Sequence, residues 1–247
     1  MKILENFRNH FIVILLFIGI SFAYFSPLLE GKRLEMADIK NWQGMSKEVV
    51  DYRKSTGEEA LWTNSMFSGM PAYQISTRFK SNLMQYIDKI LMLGLPRPAN
   101  MLFLYLLGFY ILLLSLKIDY RISTIGAFAF AFSSYFFIII EAGHMTKAHA
   151  IAYLPMVVAG VLYTYRGKIL LGSVLTGIAA SLQIFSNHLQ ITYYLVLLLF
   201  LLAIFQFYKD LKKNNLTDFL KRSALLILIG LLAAGTSFTR LYTTYEY

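Results

Sequence analysis

The chain has no cysteine, few prolines and few charged residues. Of its 247 residues, 5 are proline and 15% are charged, whereas 57% are hydrophobic. The lack of cysteine excludes disulfides and thiol chemistry, so cysteine usage says nothing about the redox compartment. The low charge content and a mean hydropathy of +0.55 exclude an ordinary soluble domain and place the chain among membrane proteins.

The apolar residues form continuous runs, which is typical of membrane-spanning helices. These runs do not alternate in polarity as the strands of a barrel do, and helices satisfy their own backbone groups in lipid. Seven runs are found, at residues 11–29, 99–116, 122–140, 150–163, 169–185, 191–207 and 223–238. We therefore predict an all-α, polytopic transmembrane protein of about seven spans. The run 150–163 covers only about 21 Å at about 1.5 Å per residue, so it must be lengthened by its flanks or be partly re-entrant.

The positive charges of the short connections predict the orientation. If all seven runs cross the bilayer, one face collects Lys2, Arg8, Lys117, Arg121, Arg166, Lys168, Lys209, Lys212, Lys213, Lys221 and Arg222. The positive-inside rule makes that face cytoplasmic. The predicted organisation is then a cytoplasmic amino terminus at 1–10, a first span at 11–29, an exofacial loop at 30–97 and further spans within 98–247. The net charge of +9 is spread between spans and over the loop, so nucleic-acid binding is not expected.

The exofacial loop has the composition of an organised surface rather than a linker. Residues 42–53 and 83–90 interleave apolar and charged residues in the manner of short amphipathic helices that lie at a membrane interface. Between them, residues 61–74 contain Trp62 and Asn64, whose side chains suit stacking and hydrogen bonding to a sugar or headgroup. The alternative is that such aromatics only anchor the loop at the membrane interface.

Asp38 lies shortly after the first apolar run, where the mouth of a membrane cavity is expected. A carboxylate there is suited to act as a general base or to bind a cation. The alternative is a solvated surface charge beside Lys40.

Two further polar segments fall between apolar runs on the same predicted face. The first contains Glu141, His144, Lys147 and His149; ionisable groups held at membrane depth are costly and therefore indicate function. If this segment is helical, Glu141 and His144 share a face, and Lys147 with a protonated histidine is suited to hold a phosphate or diphosphate. The alternative is a Glu–Lys pair with histidines capping a helix.

The second polar segment is shorter and lies in a tight hairpin. It contains Asn187, His188 and Gln190, which we expect to supplement the same cavity. Asparagine and histidine also favour turns and helix caps, so this segment has a purely structural alternative.

A metal site is chemically feasible but carries no spacing motif. Asp38, Glu141, His144, His149 and His188 supply carboxylate and imidazole groups, which suit Mn or Zn. No compact pattern such as H-E-x-x-H is present. The sequence therefore leaves open whether the protein uses a divalent cation, Mg or Mn, as a cofactor.

Several stretches of the chain resemble a known family. These are Asp38 to Lys40, residues 61–74, residues 133–149 and residues 187–194, which look like the amino-terminal part of bacterial YfhO-family membrane proteins. The architecture is similar to the GT-C superfamily of polyprenyl-phosphate-sugar-dependent glycosyltransferases. The resemblance implies a multi-pass protein of the bacterial plasma membrane, of which this chain is an amino-terminal portion. It also implies that Asp38 matches the catalytic first-loop carboxylate, which activates or positions the acceptor.

Two other functions compete with sugar transfer. A transporter or flippase requires polar groups through the depth of several spans, whereas residues 195–202 and 225–232 are almost purely apolar. A non-catalytic scaffold requires only an exofacial surface. An Asp38 carboxylate within about 10 Å of His144 and Lys147 favours an enzyme, because one substrate can then reach all three groups.

Overall fold

The structure is a computed structural model that describes the backbone of residues 2–246 and side chains within residues 7–246. Over the described residues the chain is all-α, as predicted, apart from one short hairpin. The α-helices are α1 (Lys2–Tyr24), α2 (Ala37–Met45), α3 (Lys47–Thr56), α4 (Met84–Leu91), α5 (Ala99–Ser115), α6 (Tyr120–Ala131), α7 (Ser134–Ala142), α8 (Met145–Tyr165), α9 (Ile169–Phe185), α10 (Leu189–Lys212), α11 (Leu216–Gly235) and α12 (Phe238–Glu246). The hairpin pairs β1 (Trp62–Thr63) with β2 (Met70–Pro71) in antiparallel register, with Trp62 opposite Pro71.

The described helices include three that are long and apolar enough to cross a membrane. They are α8, α10 and the Phe7–Tyr24 part of α1, and the number rises to five if each of two bent helix pairs forms one span. The apolar helices α5 and α9 have 17 residues each. At about 1.5 Å per residue they extend about 26 Å, slightly less than a hydrocarbon core about 30 Å thick.

Two predicted runs are interrupted in the structure. The run 122–140 is divided between α6 and α7, whose axes differ by 49°, and the last run is broken between α11 and α12 by a bend of 75°. Serine stands at both breaks, at Ser133 and Ser237, and its hydroxyl favours helix ends over helix interiors. The short run 150–163 is instead lengthened by its flanks, because α8 begins at Met145 and has 21 residues.

Helix α8 forms the centre of the bundle. Two thirds of its residues are buried, compared with 17% in the apolar part of α1 and 11% in α10. It packs on α5 and α9, while α1 and α10 lie at the periphery with apolar side chains exposed. The centre of the fold is therefore the helix whose first turn carries Lys147 and its neighbours.

Small residues let α8 and α9 approach closely. A Cβ on Gly160 would lie 2.4 Å from Oγ1 of Thr176, and a Cβ on Gly172 would lie 2.3 Å from Oγ1 of Thr164. The four residues form two small-x-x-x-small pairs that face each other, an arrangement that brings helix backbones together in membranes. This contact fixes the position of α9, and hence of the turn at residues 186–188 that follows it.

Polar residues from several elements meet at one end of the bundle. Residues 30–97 pack there through α2 on α7, α4 on α9, and the short helix Ala72–Gln74 on α12. We call this end, where α8 and α10 begin and α9 finishes, the loop end. It brings residues 30–97 to the same place as the two short polar segments.

Candidate functional site

Asp38 and His144 are in direct contact at the loop end. Nε2 of His144 lies 2.9 Å from Oδ2 of Asp38, and each side chain is about half exposed. Asp38 is in the first turn of α2, and His144 is the residue that precedes α8. The structure thus brings residues 106 positions apart within hydrogen-bonding distance, which meets the expected limit of about 10 Å for the His144 part of the predicted site.

Gly143 makes this approach possible. It ends α7 with φ = +91°, a left-handed conformation, which glycine adopts without steric cost. A Cβ at Gly143 would lie 3.1 Å from Cβ of Met36 and 3.2 Å from Cβ of Asp38. The break at Gly143 also means that Glu141 and His144 belong to different helices, so the single-helix arrangement considered from the sequence is wrong.

Lys147 and His188 lie near this pair. The Lys147 ammonium stands 5.5 Å from the centre of the Tyr135 ring, a cation–π distance. Burial lowers the pKa of His188, and the charges of Lys147 and His144 lower it further. The start of α8, at Met145 and Thr146, and the turn at Ser186 and Asn187 also line one cavity, so the segments that carry these groups are adjacent.

His188 also has a structural role. It precedes α10, and its Nδ1 accepts a hydrogen bond of 3.4 Å from the amide of Ile191. Asn187 adopts φ = +56° in the turn before it, a conformation that asparagine tolerates better than most residues. The segment therefore forms a turn and a helix cap, and this turn lies next to the start of α8, since both line one cavity.

A second acid–histidine pair was missed by the sequence analysis. Asp88, on α4, is only 8% exposed, and its Oδ1 lies 2.7 Å from Nε2 of His149. The hydroxyl of Tyr153 donates a hydrogen bond of 2.6 Å to the same oxygen. Nε2 of His149 makes no well-aligned hydrogen bond, so the two side chains lie within ion-pair distance without the alignment of a hydrogen bond. His149 is thus separated from His144 and fastens α4 to α8.

The other candidate residues are distributed over the loop end. Glu141 is exposed at the end of α7, and among the described side chains it forms no ion pair with Lys147. Gln190 donates to the hydroxyl of Tyr194 at 2.9 Å and lines an open cleft with Asn187. Trp62 and Asn64 line a separate cleft of about 480 Å³ between α3 and the hairpin.

The candidate metal ligands do not meet in one group. Within the part of the chain that the structure describes, no three acidic or histidine side chains form a group able to hold a metal ion. Asp38 contacts His144, whereas His149 contacts Asp88. The residues present therefore do not fit a resident Mg or Mn site of three protein ligands.

No family model, curated protein or solved structure matches this chain. The geometry of the loop end is therefore the basis for inferring a function.

Proposed function

We propose that this chain is the amino-terminal part of a GT-C-type membrane glycosyltransferase. It transfers a sugar from a polyprenyl-phosphate donor to an exofacial acceptor. The contact between Asp38 and His144 is the observation that carries the proposal, because it joins the loop carboxylate to the polar segment at the start of the central helix. A carboxylate held in this way and half open to solvent is suited to accept a proton from an acceptor hydroxyl.

The proposed reaction uses each residue in a simple way. The acceptor oxygen bonds to the anomeric carbon, the bond from that carbon to the phosphate oxygen breaks, and its electron pair leaves with the phosphate. Asp38 takes the hydroxyl proton. His144 holds the carboxylate in position, and Lys147 contributes to the local positive charge that an anionic donor meets. The pKa of His188 is lowered, so its ring is available as a neutral hydrogen-bonding group.

The proposed topology has seven spans in a bacterial plasma membrane, with a cytoplasmic amino terminus and an exofacial loop end. It counts α5 and α9 as spans and treats each bent helix pair as one. Support comes from the end opposite the loop end, where Arg222 donates to the carbonyl oxygen of Tyr165 at 2.8 Å and Arg166 donates to that of Ser115. Arginines at helix ends on one face agree with the positive-inside pattern.

The test is the substitution Asp38→Asn in the complete protein, assayed for sugar transfer from a polyprenyl-phosphate donor. Asparagine preserves the shape of the side chain but cannot accept the proton, so we expect a loss of about 10²- to 10⁴-fold in turnover with membrane insertion unchanged. Asp51→Asn is the matched control, since Asp51 is in the same loop and pairs with Lys47. Retained turnover in Asp38→Asn would remove the basis of the proposal.

A non-catalytic scaffold is the second candidate. The half exposure of Asp38 and His144 favours it, because an open polar surface also suits a protein partner. This function predicts that Asp38→Asn and Asp51→Asn behave alike in every transfer assay and that the loop end captures an exofacial protein.

A further inference from the structure

A cavity of about 260 Å³ opens at the loop end beside the Asp38–His144 pair. It is lined by residues 73–77, by Arg97, by the first turns of α8, by the end of α9 with the turn that follows it, and by α12. Thr146, two positions after His144, lines it, as does Asn187, which precedes His188. The cavity and the pair thus lie on adjoining sides of the start of α8.

The charge of this cavity is positive. Arg97 and Arg240 line it, and no aspartate or glutamate does so. Among the carboxylates of residues 7–246, none lies within 4.0 Å of either guanidinium. Arg240 is partly buried, and a partly buried cation is costly without a counter-charge, so its missing partner is expected to be an anion supplied from outside the chain. Arg97 is exposed at the same cavity and adds a second positive charge.

Arg240 is held in a fixed position. Its Nη1 donates to the carbonyl oxygen of Phe185 at 2.9 Å, and its guanidinium lies 5.5 Å from the ring centres of both Phe79 and Phe185. These contacts orient the planar group and leave its other N–H donors for a ligand. A preorganised arginine fork matches the oxygens of a phosphate better than a lysine does.

Neutral donors complete the lining. Thr146 and Asn187 are among the residues that line the cavity, and side chains of both types can donate to phosphate oxygens. The amino end of α8, a 21-residue helix, adds a partial positive charge at the same place. These donors line the same open cavity as the two arginines, so the cavity combines charge with hydrogen bonding.

We infer that this cavity is a binding site for a phosphate or diphosphate group, with Arg240 as its fixed contact and Arg97 as its second cation. The inference rests on the proposed function only for the source of the group, which is the lipid-linked sugar donor. In that arrangement the leaving phosphate is held on one side of the start of α8, and Asp38 meets the acceptor on the other.

The experiment measures binding of two probes to the purified chain in detergent by calorimetric titration. The probes are inorganic diphosphate and a short-chain polyprenyl phosphate. Arg97→Gln and Arg240→Gln are each expected to weaken binding roughly tenfold or more, the value of a charge-assisted hydrogen bond. Arg78→Gln is the matched control, because it removes the same charge from the same loop and Arg78 does not line the cavity.

The outcomes separate this site from the proposed function. Arg240→Gln also removes the hydrogen bond to the Phe185 carbonyl, and altered folding would weaken binding as well. Arg240→Lys, which keeps the positive charge, and Arg97→Gln, at an exposed position, separate these two causes. Preferred binding of the polyprenyl phosphate supports a lipid-linked source, and equal binding of both probes supports the site with a soluble source. Equal affinity of Arg97→Gln, Arg78→Gln and the unaltered chain, or no binding of either probe, overturns the inference. Binding of either probe by this chain, together with no sugar transfer by the complete protein, would refute the glycosyltransferase and leave the anion site standing.

Discussion

The backbone of Gly143 lies against the side chain of Asp38. A Cβ on Gly143 would come within 3.2 Å of Cβ of Asp38 and of the amide nitrogen of Ile39. These distances are tight, and the Ile39 amide belongs to the backbone of α2, which cannot rotate away as a side chain can. The packing of α2 against the junction between α7 and α8 therefore requires a glycine, which has no side chain, at position 143.

Gly143→Ala is expected to destabilise the protein and to loosen α2. The left-handed conformation of residue 143 costs about 1–2 kcal/mol for an L-residue, and the contact with α2 adds to that cost. The measurement is the free energy of unfolding in detergent, with hydrogen exchange of the α2 amides. Gly44→Ala is the control, since Gly44 lies within α2, has open space around its Cα and should gain up to about 1 kcal/mol in helix propensity. Equal effects of the two substitutions would contradict the packing argument.

The buried Asp88 is expected to hold α4 on α8. Asp88→Ala removes the acceptor of the Tyr153 hydroxyl and the carboxylate that contacts His149, and each buried polar group left without a partner costs about 1–3 kcal/mol. Tyr153→Phe should cost less, about 1–3 kcal/mol, because the pair with His149 remains. Unfolding measurements together with hydrogen exchange of α4 test both expectations.

The control for that pair is Asp51→Ala. Asp51 is half exposed and pairs only with Lys47 among the described side chains, so little change is expected. A similar loss of stability in Asp51→Ala and Asp88→Ala would show that burial of Asp88 contributes nothing.

The helices were predictable because their signals are local. Each apolar run coincides with one helix or with a broken pair, except that the first run continues past the end of α1 into a short 3-10 helix at Ser26–Glu30. The stretch 83–90 becomes α4, whereas the stretch 42–53 is divided between α2 and α3. The breaks at Ser133 and Ser237 were not predicted, since a serine inside an apolar run also occurs in unbroken helices. Each bend is determined by how neighbouring helices pack, and the sequence of the apolar run alone does not contain that information.

The sequence predicted several residues of the candidate site, but only some of the contacts between their side chains. Asp38, His144 and His188 stood out because polar groups beside apolar runs are costly. Asp88 did not stand out, because an aspartate next to Lys89 in an amphipathic stretch has the pattern of a solvated face. Its burial is produced by His149 and the next turn of α8, 61 and more residues away. Long-range contacts of this kind leave no local signal.

Glu48 makes the order of residues 61–74 dependent on pH. Its carboxylate accepts hydrogen bonds from the Thr63 hydroxyl and from the amides of Ser65 (2.9 Å) and Asn64 (3.0 Å). The hydrogen bond from Thr63 is the largest influence that lowers the pKa of Glu48 below its ordinary value of 4.5. A lowered pKa in the folded state means that the stabilisation is present above pH 4.5 and is lost as the pH falls through the folded value.

We therefore expect the Asn64 and Ser65 amides to lose protection from exchange below pH 4.5, after correction for the intrinsic exchange rate. Glu48→Gln should reproduce that loss at pH 7, because a neutral amide oxygen is a weaker acceptor. Glu58→Gln is the control, since the exposed Glu58 makes no side-chain contact with these amides. Protection of both amides that is unchanged from pH 7 to pH 3 would contradict the role of Glu48.

The contact between α8 and α9 should distinguish two otherwise identical substitutions. In Gly160→Ala the new Cβ would lie 2.6 Å from the Thr176 amide nitrogen, whereas Gly230 in α11 has nothing within 4 Å of its added Cβ. Alanine raises helix propensity by about 0.8–1 kcal/mol at either position. Overpacking at Gly160 is expected to outweigh that gain by about 1–3 kcal/mol, because the obstructing atom belongs to a backbone that can move only with the whole of α9. Unfolding of the two variants in detergent should therefore give opposite signs, with Gly160→Ala less stable than the unaltered chain and Gly230→Ala more stable. If both variants are stabilised, α8 and α9 are free to separate, and the turn at residues 186–188 is not fixed by this contact.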